Sequence, residues 1–222
     1  MMETSYDGPV EVLELGFHGR DVRLVQPANP DQLLEDPEVQ RWNRSVDYMP
    51  YWAYLWPGAF LLAEAVAEEP WPAGLEAIEL GCGLGLAGLV GLASGLRVKF
   101  TDYDRAPLRF VTRSAIANGF PATDYATELL DWTEPGDRSA PVILGADVLY
   151  ERRLVPLVVG VLRRVLTGDG WALIAGPYRV ATEDLEPCLA SANLRWDALP
   201  RTARDQHGRI VRGTLHRIWK AR

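Results

Sequence analysis

A chain of 222 residues, 48% hydrophobic and 24% charged, has the length of one domain and the composition of a globular one rather than a disordered one. Its 23 Lys and Arg against 30 Asp and Glu leave a charge of −7, which argues against a protein that grips nucleic acid by its phosphates. No apolar run reaches the ~20 residues of a membrane helix, and two cysteines, Cys82 and Cys188, build neither a disulfide framework nor a four-cysteine zinc site. The opening residues lack the basic and apolar regions of a signal peptide, so a cytoplasmic monomer is expected, with no membrane and no nucleic-acid partner.

In chain order, residues 11–15 and 21–25 alternate about Gly16 and Gly19, which predicts a hairpin. Residues 30–34 open a short helix, with Asn29 available as its N-cap. An aromatic-rich connection, residues 48–58, leads into an apolar helix over 59–67. From Leu75 on, short apolar runs alternate with helical patterns. Strands are expected at 75–80, 98–101, 123–129, 142–146 and 171–175, and two more at 194–199 and 210–219. Helices fall at 86–94, 107–118 and 182–191, and a further one carries Leu154, Val158, Val161, Leu162 and Val165 on one face. This order predicts an α/β fold: a mostly parallel sheet with helices on both faces and an antiparallel edge at the end. One compact domain is expected, with an N-terminal appendage over residues 1–70 packed on a core over 71–222.

The chemistry-bearing segment lies where the first core strand turns into a helix, the place where α/β sheets bind nucleotides. Gly81, Cys82, Gly83, Leu84 and Gly85 form a glycine loop there. Gly83, Gly85 and Gly88 also fit the dinucleotide spacing, a weak signal alone. Glu79, two residues before Gly81, puts a carboxylate under the loop, suited to a ligand's ammonium group and repelling a pyrophosphate. Asp102 ends the next strand, 21 residues after Gly81, where a carboxylate suits the two hydroxyls of an adenosine ribose. A ligand with a cationic amino-acid end and a nucleoside end is S-adenosylmethionine.

Residues 79–85 resemble the first motif of the class I, seven-β-strand S-adenosylmethionine-dependent methyltransferases. More narrowly, residues 51–58, Leu130-Asp131-Trp132 and Asp147-Val148-Leu149-Tyr150 resemble the family 16 protein lysine methyltransferases. The resemblance spans roughly residues 48 to 180 and implies a Rossmann-like seven-stranded sheet. It places Gly81, Gly83 and Gly85 along the methionine end of the cofactor, with Glu79 nearby. It places Asp102 on the ribose, Tyr103 beside the adenine, Asp131 and Trp132 flanking it, and Trp56 against the cofactor from the N-terminal side. Asp147 and Tyr150 match the acidic-x-x-aromatic motif beside the transferred methyl. The implied partner is a protein bearing a lysine.

A carboxylate at Asp147 attracts an ammonium but also raises that amine's pKa above its usual ~10.4, so capture and orientation suit it better than proton removal. Proton loss is then to water or on desolvation. An N-cap of the helix that follows is its other reading, and a half-buried helix start is that of Tyr150. Trp52, Tyr54 and Trp56 read as a cation-holding wall or as packing of the N-terminal cap. Cys82 reads as a small residue inside the loop, Asn118 as a structural helix end. The three histidines, His18, His207 and His216, show no ligand spacing, so no metal is expected. A small-molecule N-methyltransferase and a non-catalytic cofactor-binding scaffold stand as alternatives. A nicotinamide oxidoreductase lacks a recognisable proton relay.

Overall fold

The computed structural model describes residues 6–178 and 183–221. Its frame is a seven-stranded sheet of β3 (Glu76–Leu80), β4 (Arg97–Asp102), β5 (Tyr125–Leu129), β6 (Ala140–Ala146), β7 (Leu166–Gly176), β8 (Leu194–Arg204) and β9 (Ile210–Lys220). The spatial order is β5-β4-β3-β6-β7-β9-β8. The five strands from β5 to β7 run parallel, and β9 runs antiparallel to both β7 and β8. The antiparallel strand therefore lies inside the sheet instead of at its edge; the edge strand, β8, points the same way as β7. Pro200 sits in β8 opposite Thr214, and an edge strand accommodates it because one side needs no ladder donor. That is why β8 runs five residues past the expected stop at Leu199.

Alternation along the strands decides the layers. Ala77, Val142, Leu144, Leu173 and Ala175 face one side, against α2 (Pro57–Glu68), α3 (Leu86–Ala93) and α4 (Arg105–Ala117). Ile78, Leu80, Ile143, Ala172 and Ile174 face the other, against α5 (Leu154–Val165) and α6 (Leu185–Ser191). Thr182, the first residue of the expected last helix, lies outside the described residues.

The N-terminal hairpin, β1 (Val10–Phe17) with β2 (Arg20–Pro27), forms its own two-stranded sheet. Among the described residues, the outer edge of β2 pairs with no strand. Ser114 Oγ accepts from Val25 N at 2.9 Å, and Asn118 both accepts from Arg23 N (2.8 Å) and donates to Arg23 O (2.6 Å). Ser114 of α4 and Asn118, the residue that caps its C-terminus, thus lie one turn apart and replace a third strand. At the hairpin's turn, His18 Nε2 lies 2.9 Å from Glu64 and 3.2 Å from Glu68 of α2.

Residues Pro30–Glu35 form a 3₁₀ turn, and Asn29 gives it no side-chain cap. The longer helix follows it: α1 (Pro37–Val46), capped by Asp36, whose carboxylate accepts from Glu38 N and Val39 N. Sequence patterning did not place α1: Val39, Trp42 and Val46 recur at helical spacing, but the segment is otherwise polar and Val39 is its one buried residue.

Candidate active site

The loop between β3 and α3 turns through three left-handed glycines, with φ of 54° at Gly81, 50° at Gly83 and 76° at Gly85. At Gly85, the N-cap of α3, a Cβ would stand 2.6 Å from Val111 and 3.2 Å from the Phe100 ring. Space and dihedral both demand glycine there. Above Gly81 lies the Trp132 ring, 3.1 Å from where a Cβ would stand. Cys82 is buried within the loop, and burial pushes its thiol well above the usual range, so it stays protonated.

The two acids behind the loop divide their work. Glu79 is buried, and its carboxylate accepts from Gly88 N on α3 at 3.1 Å. The carboxylate thus lies beneath the loop, as its place two residues before Gly81 implies, with one oxygen engaged by the start of α3. Burial pushes its pKa up to about 8, with the Asp102 charge adding a smaller upward push and the Gly88 bond opposing. At the end of β4, Asp102 accepts from Gly83 N (3.0 Å) and from Asp104 N (3.1 Å). Burial dominates here too and lifts its pKa to about 6, the backbone bonds holding it lower than burial alone would. Its neighbour Tyr103 stays exposed. Across from β4, past the end of β5, Asp131 is exposed and fastened by Thr133, whose backbone N–H and hydroxyl hold its pKa down. Asp102, Tyr103, Asp131, Trp132 and the glycines thus gather at the carboxyl ends of β3, β4 and β5.

Asp147 follows β6 in a left-handed conformation, φ 54°. Its Oδ2 accepts from Gly58 N at 2.5 Å, and its own N–H donates to Ala175 O at 2.9 Å. It therefore caps a helix, but α2 from across the sheet and not the α5 that follows it in sequence. The Pro57-Gly58 pair explains the geometry: Pro suits the first helical turn, and a Cβ on residue 58 would stand 2.4 Å from the Asp147 carboxylate. Gly58 is thus a site residue that the motif contained but sequence reasoning left without a role.

The aromatic segment sorts itself by burial. Trp52 is in the core, its ring 5.4 Å from Phe110, so it is packing and not part of a wall. Tyr54 turns aside to donate to Asp31 at 2.6 Å. Trp56 stays half-buried, donates Nε1–H to Tyr51 O at 2.8 Å, and meets the Tyr51 ring edge-on at 5.7 Å. Tyr51 in turn meets Tyr150 edge-on at 5.7 Å. Burial, helped by the Glu151 charge, pushes the Tyr150 hydroxyl up to about 12, so it serves as a donor or a ring face at neutral pH. Tyr51 is the member of this trio that sequence reasoning did not single out. Tyr48 anchors the segment's start by donating to Asp104, the N-cap of α4, at 2.5 Å.

A glycine loop under a strand–helix turn, an acid ending the neighbouring strand and the seven-strand order with one antiparallel insertion define a class I, Rossmann-like methyltransferase. In fold it matches the ribosomal protein L11 methylase of Lactobacillus delbrueckii subsp. bulgaricus, with a TM-score of 0.57 over 72% of this chain and 77% of that one, at 19% identity. Residues 53–185 match the sequence profile of the lysine methyltransferase family, and the chain belongs to that family. It is an S-adenosylmethionine-dependent enzyme. The electron transfer flavoprotein beta subunit lysine methyltransferase of Xenopus laevis is 30% identical over 73% of this chain and 69% of its own length. The protein N-lysine methyltransferase METTL21A of Danio rerio is 32% identical over 50% of this chain and 53% of its own.

Proposed function

We propose that the enzyme methylates the side-chain amine of lysine in a protein substrate, with the acceptor brought to Asp147 at the carboxyl edge of the sheet. The observation that carries this reading is the position of the Asp147 carboxylate, fixed between the start of α2 and the end of β7. The cofactor supplies a methyl already activated on a sulfonium, so the protein's work is alignment, a contribution on the order of 7–11 kcal/mol in well-oriented reactions. In this reading Gly81 and Gly83 let the cofactor approach the backbone, and Asp102 accepts from ribose hydroxyls while Gly83 N–H holds its other side. Trp132, Asp131 and Tyr103 border the adenine end. Tyr51, Trp56 and Tyr150 border the acceptor end, where their ring faces favour a cation. Glu79 acts from beneath, holding the loop to α3. The relatives named as protein lysine methyltransferases support a protein over a free amine as substrate.

The test is transfer of labelled methyl from S-adenosylmethionine into a cell extract by wild type and Asp147→Asn. A labelled protein whose label maps to lysine, lost with the variant, is the expected result. Label confined to small molecules would put a metabolite N-methyltransferase in its place.

A further inference from the structure

The β1–β2 register decides where each backbone group of β1 points. Ala28 N donates to Pro9 O at 2.9 Å, and the pairing alternates from there, so Glu11, Leu13, Leu15 and Phe17 turn their backbone groups towards β2. Val10, Val12, Glu14 and Gly16 turn theirs outward. The partner strand shows the same alternation: Arg23 and Val25, opposite Glu14 and Val12, are the residues whose outward groups meet Asn118 and Ser114. Among the described residues, nothing does for β1 what those two side chains do for β2.

Open edges are commonly blunted by proline, basic side chains or a bulge. The open edge of β8 has Pro200 with Arg195, Arg201 and Arg204. β1 has none of these: it pairs without interruption over its whole length, and its charged residues are Glu11 and Glu14. Beside this edge runs a groove of about 550 Å³ between β1, α2 and the β8–β9 hairpin. Leu15, Phe17, Phe60 and Ala203 give it an apolar lining. Of its charged groups, Arg204 and Asp205 are held within their own hairpin by Gly208 O and Arg209. Glu64 meets His18, and Glu14 meets Arg23 with both side chains open to water. Phe60 follows Gly58 by two residues, so the groove begins on the helix turn that Asp147 caps.

We infer that β1 takes up an extended stretch of the substrate protein as a third strand over this groove, a stretch in which basic and apolar side chains alternate. The assignment rests on the lysine reading above. Pairing with Val10, Val12, Glu14 and Gly16 supplies affinity whatever the sequence, and the side chains supply the choice. Successive side chains of a strand point to opposite faces. Those on the face of Leu13, Leu15 and Phe17 meet the apolar lining, and those on the other face run beside Val12 and Glu14. A basic residue there is drawn to Glu14 and an acidic one is repelled. A second copy of β1 fits worse, since it brings two more glutamates to the same edge. From Val10 to Gly16 the edge spans about 20 Å, room for about seven residues of substrate.

The test uses the full chain with S-adenosylhomocysteine bound and the peptide acetyl-Lys-Val-Lys-Val-Lys-Val-Lys-amide as probe, with amide hydrogen exchange followed residue by residue. The probe should slow exchange at Val10, Val12, Glu14 and Gly16 by about tenfold or more, in alternation with Leu13 and Leu15, which already bond to β2. Val12→Pro removes an outward donor without touching a bond to β2, and should abolish the response while the melting temperature holds. Glu14→Lys, which leaves the backbone alone, should weaken the probe by about fivefold, the worth of an exposed ion pair. An unprotected edge, or protection without the alternation, overturns the proposal. So does protection in the free enzyme that grows with its concentration, which gives the edge to a second copy. A probe bound equally well by Glu14→Lys overturns the choice of a basic partner. A wild-type enzyme that labels no lysine in extract counts against the lysine reading instead, and the exchange measurement, which needs no turnover, still decides the edge.

Discussion

Asp147 holds a backbone conformation that most residues avoid, and its short polar side chain makes the position tolerable. The same side chain closes α2 through Gly58 N–H. Asp147→Asn keeps both properties, so its urea midpoint should correspond to a stability within about 1 kcal/mol of wild type while methyl transfer collapses. Asp147→Ala loses the cap as well and should cost roughly 0.5–2 kcal/mol more in the same unfolding experiment. Glu79 makes a prediction of the opposite kind. Its folded pKa of about 8 lies far above that of an unfolded glutamate, so the folded chain holds a proton that the unfolded chain has released. Stability contributed by this group is intact below the unfolded value and drains away as pH rises through about 8. Glu79→Gln should therefore flatten the fall in melting temperature between mildly acidic and mildly alkaline buffer; an unchanged slope would refute the buried, protonated assignment. The glycines and the acids at strand ends were legible because spacing from a strand end locates them. Their hydrogen-bond partners were not. Glu79 meets the start of α3 because Gly88 leaves its carboxylate room, a Cβ there standing 2.4 Å from Oε2, and no one-dimensional pattern records that. Trp52 and Trp56 show the same limit: both are aromatic, four residues apart, and packing on Phe110 alone separates core from rim.

Elements with one clean apolar face, α4 and α5, were readable from periodicity, and the parallel strands from their short apolar runs. Two kinds of element escaped. The polar helix α1 depends on the Asp36 cap and the preceding 3₁₀ turn instead of a buried stripe. The outer half of β8, beyond Pro200, follows from its place at the edge of the sheet, which topology sets and local sequence does not. The junction of β2 with α4 offers a direct measurement. Ser114 is fully buried and its hydroxyl is the acceptor for Val25 N–H. Ser114→Ala leaves that donor without a partner, which costs roughly 1–3 kcal/mol. Hydrogen exchange at the Val25 amide should quicken by the corresponding factor, with β3 and β6 amides affected only through the global change in stability.

Across the whole molecule, the order β5-β4-β3-β6-β7-β9-β8 brings the loop after β3 and the turn after β6 side by side, since β3 and β6 are neighbours. Cofactor loop and Asp147 come from distant stretches of chain and meet because parallel strands all end at one edge. A charge of −7 adds a long-range pull on a cationic acceptor. Raising ionic strength from about 0.05 to about 0.5 M should therefore raise KM for a lysine-rich protein substrate while leaving kcat nearly unchanged. A KM indifferent to salt would restrict recognition to the immediate surroundings of Asp147.

The N-terminal hairpin closes over the helical layer: Phe17, Val22, Leu24 and Val25 are buried in the core it shares with α2, α3 and α4, Ser114 and Asn118 grip its free edge, α2 carboxylates meet its turn, and neither strand enters the seven-stranded sheet. A lid of this kind can be lengthened or trimmed along its exposed β1 edge without rethreading a single sheet crossover, but lifting it off would lay bare the layer beneath.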